Sequence, residues 1–198
     1  METKVTSNYY KVLSVLENKE NHSRGLSREI NISHAQITKI LNFFYQQNVL
    51  QKKEFGKSIV YSINKNFTTQ QYLVSLSKQK LIHLTQNNPK LKVIIEEVIS
   101  KINKDVFKID CMILFGSYSK QSSNKNSDID IFFITELKKE KLKIISKKIS
   151  ESYGIDINIK ILNKEDFINQ IKHPLTKEVL IGTPILNSEL FYTLKWQE

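Results

Sequence analysis

Two aspartates, Asp128 and Asp130, flank one isoleucine in the apolar stretch "SDIDIFFIT". In a strand, residues two apart face the same way, so both carboxylates share one face while Ile129 and Ile131 take the other. Like charges side by side repel, and loss of water makes the repulsion worse. A hard divalent cation removes the conflict, and Mg²⁺ bridges carboxylates to substrate phosphates. The pair therefore predicts a metal site for phosphoryl or nucleotidyl transfer. Further on, "GIDINIKIL" alternates, with Ile155, Ile157, Ile159 and Ile161 on one side and Asp156, Asn158 and Lys160 on the other. Asp156 is thus expected to begin a neighbouring strand and to complete a metal set with Asp128 and Asp130. A two-Mg²⁺ arrangement would activate the attacking oxygen and stabilise a leaving pyrophosphate.

Upstream, "ILFGSYSK" ends an apolar strand on Gly116-Ser117. Glycine allows close backbone approach to a phosphate, and a following turn offers free N–H donors. Ser117 adds a hydroxyl and Lys120 a positive charge. Gly116-Ser117, ten residues, then Asp128-Ile129-Asp130 resembles the signature of the polymerase-beta-like nucleotidyltransferases, most closely the minimal branch. The resemblance covers about residues 92–190. It implies that Asp128, Asp130 and Asp156 ligate Mg²⁺ and act in catalysis, and that Gly116 and Ser117 hold the nucleotide's phosphates. It also implies transfer of a nucleoside monophosphate, expected to be AMP from ATP, to a hydroxyl. In the minimal branch the acceptor can be a tyrosine of a HEPN-type toxin, which would make this chain antitoxin-like. One departure stands out: Lys120 replaces the family's basic residue and Gln121 its glycine. A retained fold with a silent site is the competing reading.

The elements that must carry these residues follow from the pattern. "DCMILFGS", "SDIDIFFIT" and "DINIKILN" read as strands. A basic helix from Glu136 to about Tyr153 lies between the last two, with Leu142, Ile145 and Ile149 facing inward. "KEDFINQI", "LTKEVLIG" and "SELFYTLKW" read as helices and "TPIL" as a short strand. The expected C-terminal domain, 91–198, is thus α/β with a mixed sheet and helices on one side. A helix at 67–90 is expected as a linker. Pro89 opens the next helix, whose stripe is Leu91, Ile94, Ile95, Val98, Ile99 and Ile102. These helices either join the two halves or pack only on the second core.

Residues 1–66 have another character. Asn8–Leu16 carries an apolar stripe, Ser23 and Gly25 read as punctuation, and a short helix follows at Leu26–Ile30. Ser33 is a cap for a third helix, with Ile37, Ile40, Leu41 and Phe44 as its inner face. A hairpin then turns at Gly56-Lys57. Three helices and a hairpin resemble the winged helix-turn-helix domains of bacterial and archaeal regulators, so the whole is expected to be a two-domain α+β and α/β chain. That resemblance places the third helix in the major groove of double-stranded DNA. His34, Gln36, Thr38, Lys39 and Asn42 are its candidate contacts, and Lys52, Lys53 and Lys57 those of the wing. Operators of such domains are palindromic, which favours a homodimer. A solvated basic face, or a protein-binding winged helix, is the competing reading.

Composition bounds the rest. The 198 residues carry a formal net charge of +10, which favours a polyanionic partner, although a chain rich in Lys, Asn and Ile reaches that balance without one. Cys111 is the only cysteine, which excludes a disulfide framework and a cysteine metal site. It sits among apolar residues, as a buried thiol does. No apolar run reaches the roughly 18 residues of a membrane span, and no leader pattern opens the chain. The expected location is the cytoplasm. His22, His83 and His173 lack metal-ligand spacing. Two functions remain in view: a nucleotidyltransferase coupled to DNA binding, or a DNA-binding regulator whose transferase domain is silent or senses a nucleotide or partner.

Overall fold

The computed structural model describes residues 2–56, 58–124 and 126–197, with side chains from Ser7 onward. The chain divides into two compact units between Leu76 and Ser77. That division falls inside helix α4 (Phe67–Asn87).

The first unit contains helices α1 (Glu2–Leu16), α2 (Ser23–Ile30) and α3 (His34–Gln46). A three-stranded antiparallel sheet accompanies them: β1 (Asn21–His22), β2 (Leu50–Phe55) and β3 (Ser58–Ile63), in the order β1-β3-β2. The Ser33 side chain accepts from the Gln36 N–H at 3.3 Å, capping α3 as the sequence predicts. Val12, Leu13, Leu16, Leu26, Ile37, Ile40, Leu41 and Phe44 are buried together with Val49 and Leu50. Edge-to-face ring contacts link Tyr9, Phe43, Phe44 and Tyr72. Two features depart from the pattern. The two-residue strand β1 is too short to show as alternation. Gly25 lies inside α2 rather than breaking it, because a Cβ there would stand 2.2 Å from Asn21 Oδ1.

In the second unit, the end of α4 is followed by α5 (Pro89–Ile102) and a 3-10 turn, Asn103–Lys108. Then come β4 (Ile109–Phe115), α6 (Gly116–Ser119), β5 (Ile129–Thr135), α7 (Lys139–Tyr153) and β6 (Ile157–Leu162). The unit closes with α8 (Lys164–Asn169), α9 (Pro174–Leu180), β7 (Thr183–Leu186) and α10 (Ser188–Lys195). Strand order is β6-β5-β4-β7. β5 runs parallel to β6 and antiparallel to β4, so the sheet is mixed. A parallel pair needs a crossover, and α7 supplies it. Gly154 ends that helix in the left-handed region at φ 55°.

Both faces of β5 are apolar. Ile129, Ile131 and Phe133 join Met112, Leu114 and Ile157 in a core with Ile94, Val98, Leu142 and Ile149 from α5 and α7. On the opposite face, Phe132 stacks edge-on between Phe115 and Phe167 of α8. Helices therefore cover both sides of the sheet, not one. A strand that is hydrophobic all round needs that double cover. Within β5 only Asp130 escapes full burial, and Asp128 just before the strand is exposed, so the carboxylates sit at the edge of that cover. Among the described residues no helix is long and apolar enough to cross a membrane.

Candidate active site

β4 stops where Gly116 takes φ +66°. Phe115 is paired with Asp130 across the β4–β5 ladder, which puts Gly116 against the Asp130 side chain. A Cβ at position 116 would stand 2.2 Å from Asp130 Oδ2. Space and backbone conformation thus both demand glycine here. The short helix α6 is tied down by Ser119, whose buried hydroxyl lies 2.9 Å from that of Thr183 in β7. Gln121 adopts φ +57°. That left-handed conformation costs roughly 1–2 kcal/mol for a side chain with a Cβ.

Asp128 lies just before β5 and is exposed, whereas Asp130 lies in the strand and is half-buried. Asn158 joins them. Its Nδ2 donates to Asp128 Oδ2 at 3.1 Å and to Asp130 Oδ1 at 3.4 Å. Parallel register sets Asn158 beside Asp130 and Ile157 beside Ile129. Asp156 therefore stands level with Asp128, and its main-chain carbonyl accepts from the Ile129 N–H at 2.9 Å. Its side chain is exposed. Among the described residues, no group of three or more His, Cys, Asp and Glu side chains gathers as a metal set. The carboxylate pair itself fits a cation: two oxygen-donor groups share one face, held by an uncharged amide. Mg²⁺ commonly takes one or two protein carboxylates and fills its remaining positions with water and substrate phosphates.

Burial pushes the Asp130 carboxyl above its usual range. The charges of Asp128 and Glu178 add to that, while the Asn158 hydrogen bond and Lys160 oppose it. Lys120 is not free beside the turn: its Nζ sits 2.5 Å from Oε1 of Glu178 in α9. The pair is roughly half-exposed, with side-chain accessibilities of 49% and 39%, so its net worth is small. Asn158 and Glu178 were both missed by the sequence reading. Asn158 had a signal, since alternation put it on the face of Asp156. Glu178 had none, being 58 residues from Lys120 in the chain. Cys111 is buried, and desolvation drives its thiol pKa far up, so it is an inert core residue. His173 caps α9, its Nδ1 accepting from the Leu175 N–H at 3.3 Å.

In the N-terminal unit, His34, Lys39 and Asn42 are exposed on α3, and Gln36 and Thr38 are half-buried. His34 Nε2 lies 2.9 Å from the Ser23 hydroxyl. The Thr38 hydroxyl donates to the His34 carbonyl within its own helix. Lys52 lies over the Tyr45 ring and Lys53 over that of Phe55. Lys57 lies outside the described residues. A groove of ≈ 540 Å³ runs between α2, α3 and β3. His22, Arg24, His34 and Tyr61 line it, and among the described residues no acidic one does.

The second unit thus carries paired aspartates at the mouth of a mixed sheet flanked by helices. Residues 96–186 match the family described as polymerase beta, nucleotidyltransferase. The chain is also similar to a solved toxin-antitoxin with AMP-PNP, at 21% identity and a TM-score of 0.40, covering 51% of this chain and 82% of that one. A substituted form of the MntA-HpeT toxin-antitoxin matches at 20% identity and a TM-score of 0.40, over the same shares. No curated protein matches the chain.

Two outcomes follow from this geometry. Gly116→Ala must displace the Asp130 carboxylate and adopt a strained φ, so its melting temperature should fall by an amount consistent with about 1–2 kcal/mol; an unchanged melt would refute the close approach. Asp130 binds its proton more tightly folded than unfolded, so the metal-free protein loses stability as pH rises through the window above the ordinary Asp value. Asp130→Asn removes that loss. In EDTA it should melt higher than the parent at pH 8 and converge with it near pH 4. Parallel melting curves across that range would contradict the raised carboxyl.

Proposed function

We propose that the C-terminal unit is a Mg²⁺-dependent transferase that moves AMP from ATP to a hydroxyl. The observation that carries this reading is the Asp128–Asp130 pair, open at the end of β5 and packed against the Gly116 turn. The family match over residues 96–186 supports it. Asp128 and Asp130 would hold the metal, with Asp156 at the adjoining strand start as the third ligand. The Gly116 backbone and the Ser117 hydroxyl would face the phosphates. Lys120 would exchange Glu178 for the triphosphate, a half-exposed ion pair being inexpensive to break. When bound, Mg²⁺ favours the acceptor's oxyanion and offsets charge on the leaving group. The acceptor oxygen forms a bond to the α-phosphorus, the bond from that phosphorus to the bridging oxygen breaks, pyrophosphate departs, and the acceptor's proton passes to water. The acceptor we favour is a tyrosine of a HEPN-type toxin, which would make the chain antitoxin-like.

The N-terminal unit is read as a winged helix that binds duplex DNA as a homodimer. Its acid-free groove beside α3, with Arg24, His22 and His34 in the lining, supports that reading. A second reading has the transferase domain silent, sensing a nucleotide or a partner. The Lys120–Glu178 pair and the lack of a three-carboxylate set among the described residues favour it.

Incubation with Mg²⁺ and each nucleoside triphosphate labelled at the α-phosphate, with and without the product of the neighbouring gene, decides between them. Label from ATP should appear on that protein and fall to background with Asp128→Ala/Asp130→Ala. No label from any nucleotide, in a folded protein that binds DNA, would leave the silent regulator. Lys39→Ala should weaken duplex binding by about 1–3 kcal/mol, read by fluorescence anisotropy. Equal affinity would remove α3 from the interface.

A further inference from the structure

We propose that Asn158 is the positioning residue of the metal site, the group that holds the Asp128 carboxylate beside that of Asp130 before a cation arrives. The inference rests on the metal-dependent reading of the same site.

Asp130 is placed by its strand. Its backbone is in the β5 ladder, flanked by Phe115 on one side and Asn158 on the other. Asp128 has no such support. It precedes β5, follows Ser127, whose hydroxyl accepts from the Asn124 N–H, and is exposed. Among the described residues, the Asn158 amide is the only side-chain donor to either carboxylate. It holds Asp128 more closely, at 3.1 Å against 3.4 Å for Asp130. Carboxylates only accept, so the amide nitrogen, not its oxygen, must face them. One NH₂ carries two N–H donors, enough to span both oxygens.

The residue type suits the task. An ammonium group there would bring a full charge to the place a cation must take. A carboxylate would add a third negative charge to a pair already in conflict. An amide sets the gap between the aspartates and leaves their net charge intact for the metal. Asn158 is itself exposed, so replacing it leaves the core untouched.

The full chain, without nucleotide, is titrated with Mn²⁺ by electron paramagnetic resonance, and Mg²⁺ is then used as competitor. Asn158→Ala should raise the Mn²⁺ dissociation constant about tenfold, the effect typical of losing a group that orients a ligand. Its melting temperature in EDTA should stay close to that of the parent. Asn158→Asp should bind Mn²⁺ at least as tightly as the parent and melt lower than it without metal. A purely structural role would lower the melting temperature of Asn158→Ala and leave its Mn²⁺ titration unmoved. That result overturns the proposal while keeping the metal site. Asp156→Asn is run alongside: loss of Mn²⁺ there, with Asn158→Ala like the parent, would leave Asp156 as a ligand and overturn the positioning role of Asn158. A parent chain that binds no Mn²⁺ would overturn the metal reading itself, and this inference with it.

Discussion

Asp128, just before β5, and Asp130, within it, bring two like charges together at the start of one strand, and their neighbours in the C-terminal unit are arranged around that conflict. Asp130 bears most of it, because burial and the neighbouring charges of Asp128 and Glu178 all oppose its ionisation. A cheaper sequence would put an apolar residue or a serine at one position. The structure instead keeps both acids and surrounds them with groups that make the pair tolerable. Asn158 donates to both, Lys160 contributes an opposite charge, and Glu178 is partly neutralised by Lys120.

Packing supplies the rigidity that such a site requires. β5 is buried on both faces over most of its length, by α5 and α7 on one side and by α8 through Phe167 on the other. The double cover stops at the start of the strand, so Asp130 is held by a fixed backbone while its carboxylate meets the mouth. Gly116 completes the frame from β4. Its missing side chain is the space into which Asp130 Oδ2 fits. The Ser119–Thr183 contact then anchors the turn to β7, so that the Gly116 turn and the carboxylates belong to one sheet.

The N-terminal unit is a small helical core with basic and polar side chains on its surface. Leu13, Ile37, Leu41 and Phe44 are buried, and the outward residues of α3 stay exposed or half-exposed. Several of its basic and polar groups are already engaged by neighbours: His34 with Ser23, Lys52 with Tyr45, Lys53 with Phe55. These are weak, exposed contacts of the kind a phosphate exchanges readily. Among the described residues, no carboxylate lines the groove between α2, α3 and β3.

Much of this was determined by local sequence. Alternation in "SDIDIFFIT" and "DINIKIL" specified strands and their faces, Pro89 and Ser33 specified helix starts, and the lone Cys111 specified a buried thiol. Period and capping are short-range effects, so a linear reading recovers them. Tertiary structure decided the rest. Helices on both sides of the sheet followed from β5 being apolar all round, which is evident only once its neighbours are known. Register decided that Asn158 lies beside Asp130 and Asp156 beside Asp128, and no residue type announces a register. Glu178 came to Lys120 across 58 residues through the packing of α9. The sequence by itself could name the acids and predict their common face. Which neutral and charged neighbours would share that face was decided by the fold, because electrostatic partners are chosen by distance in space, and chain order carries little of it.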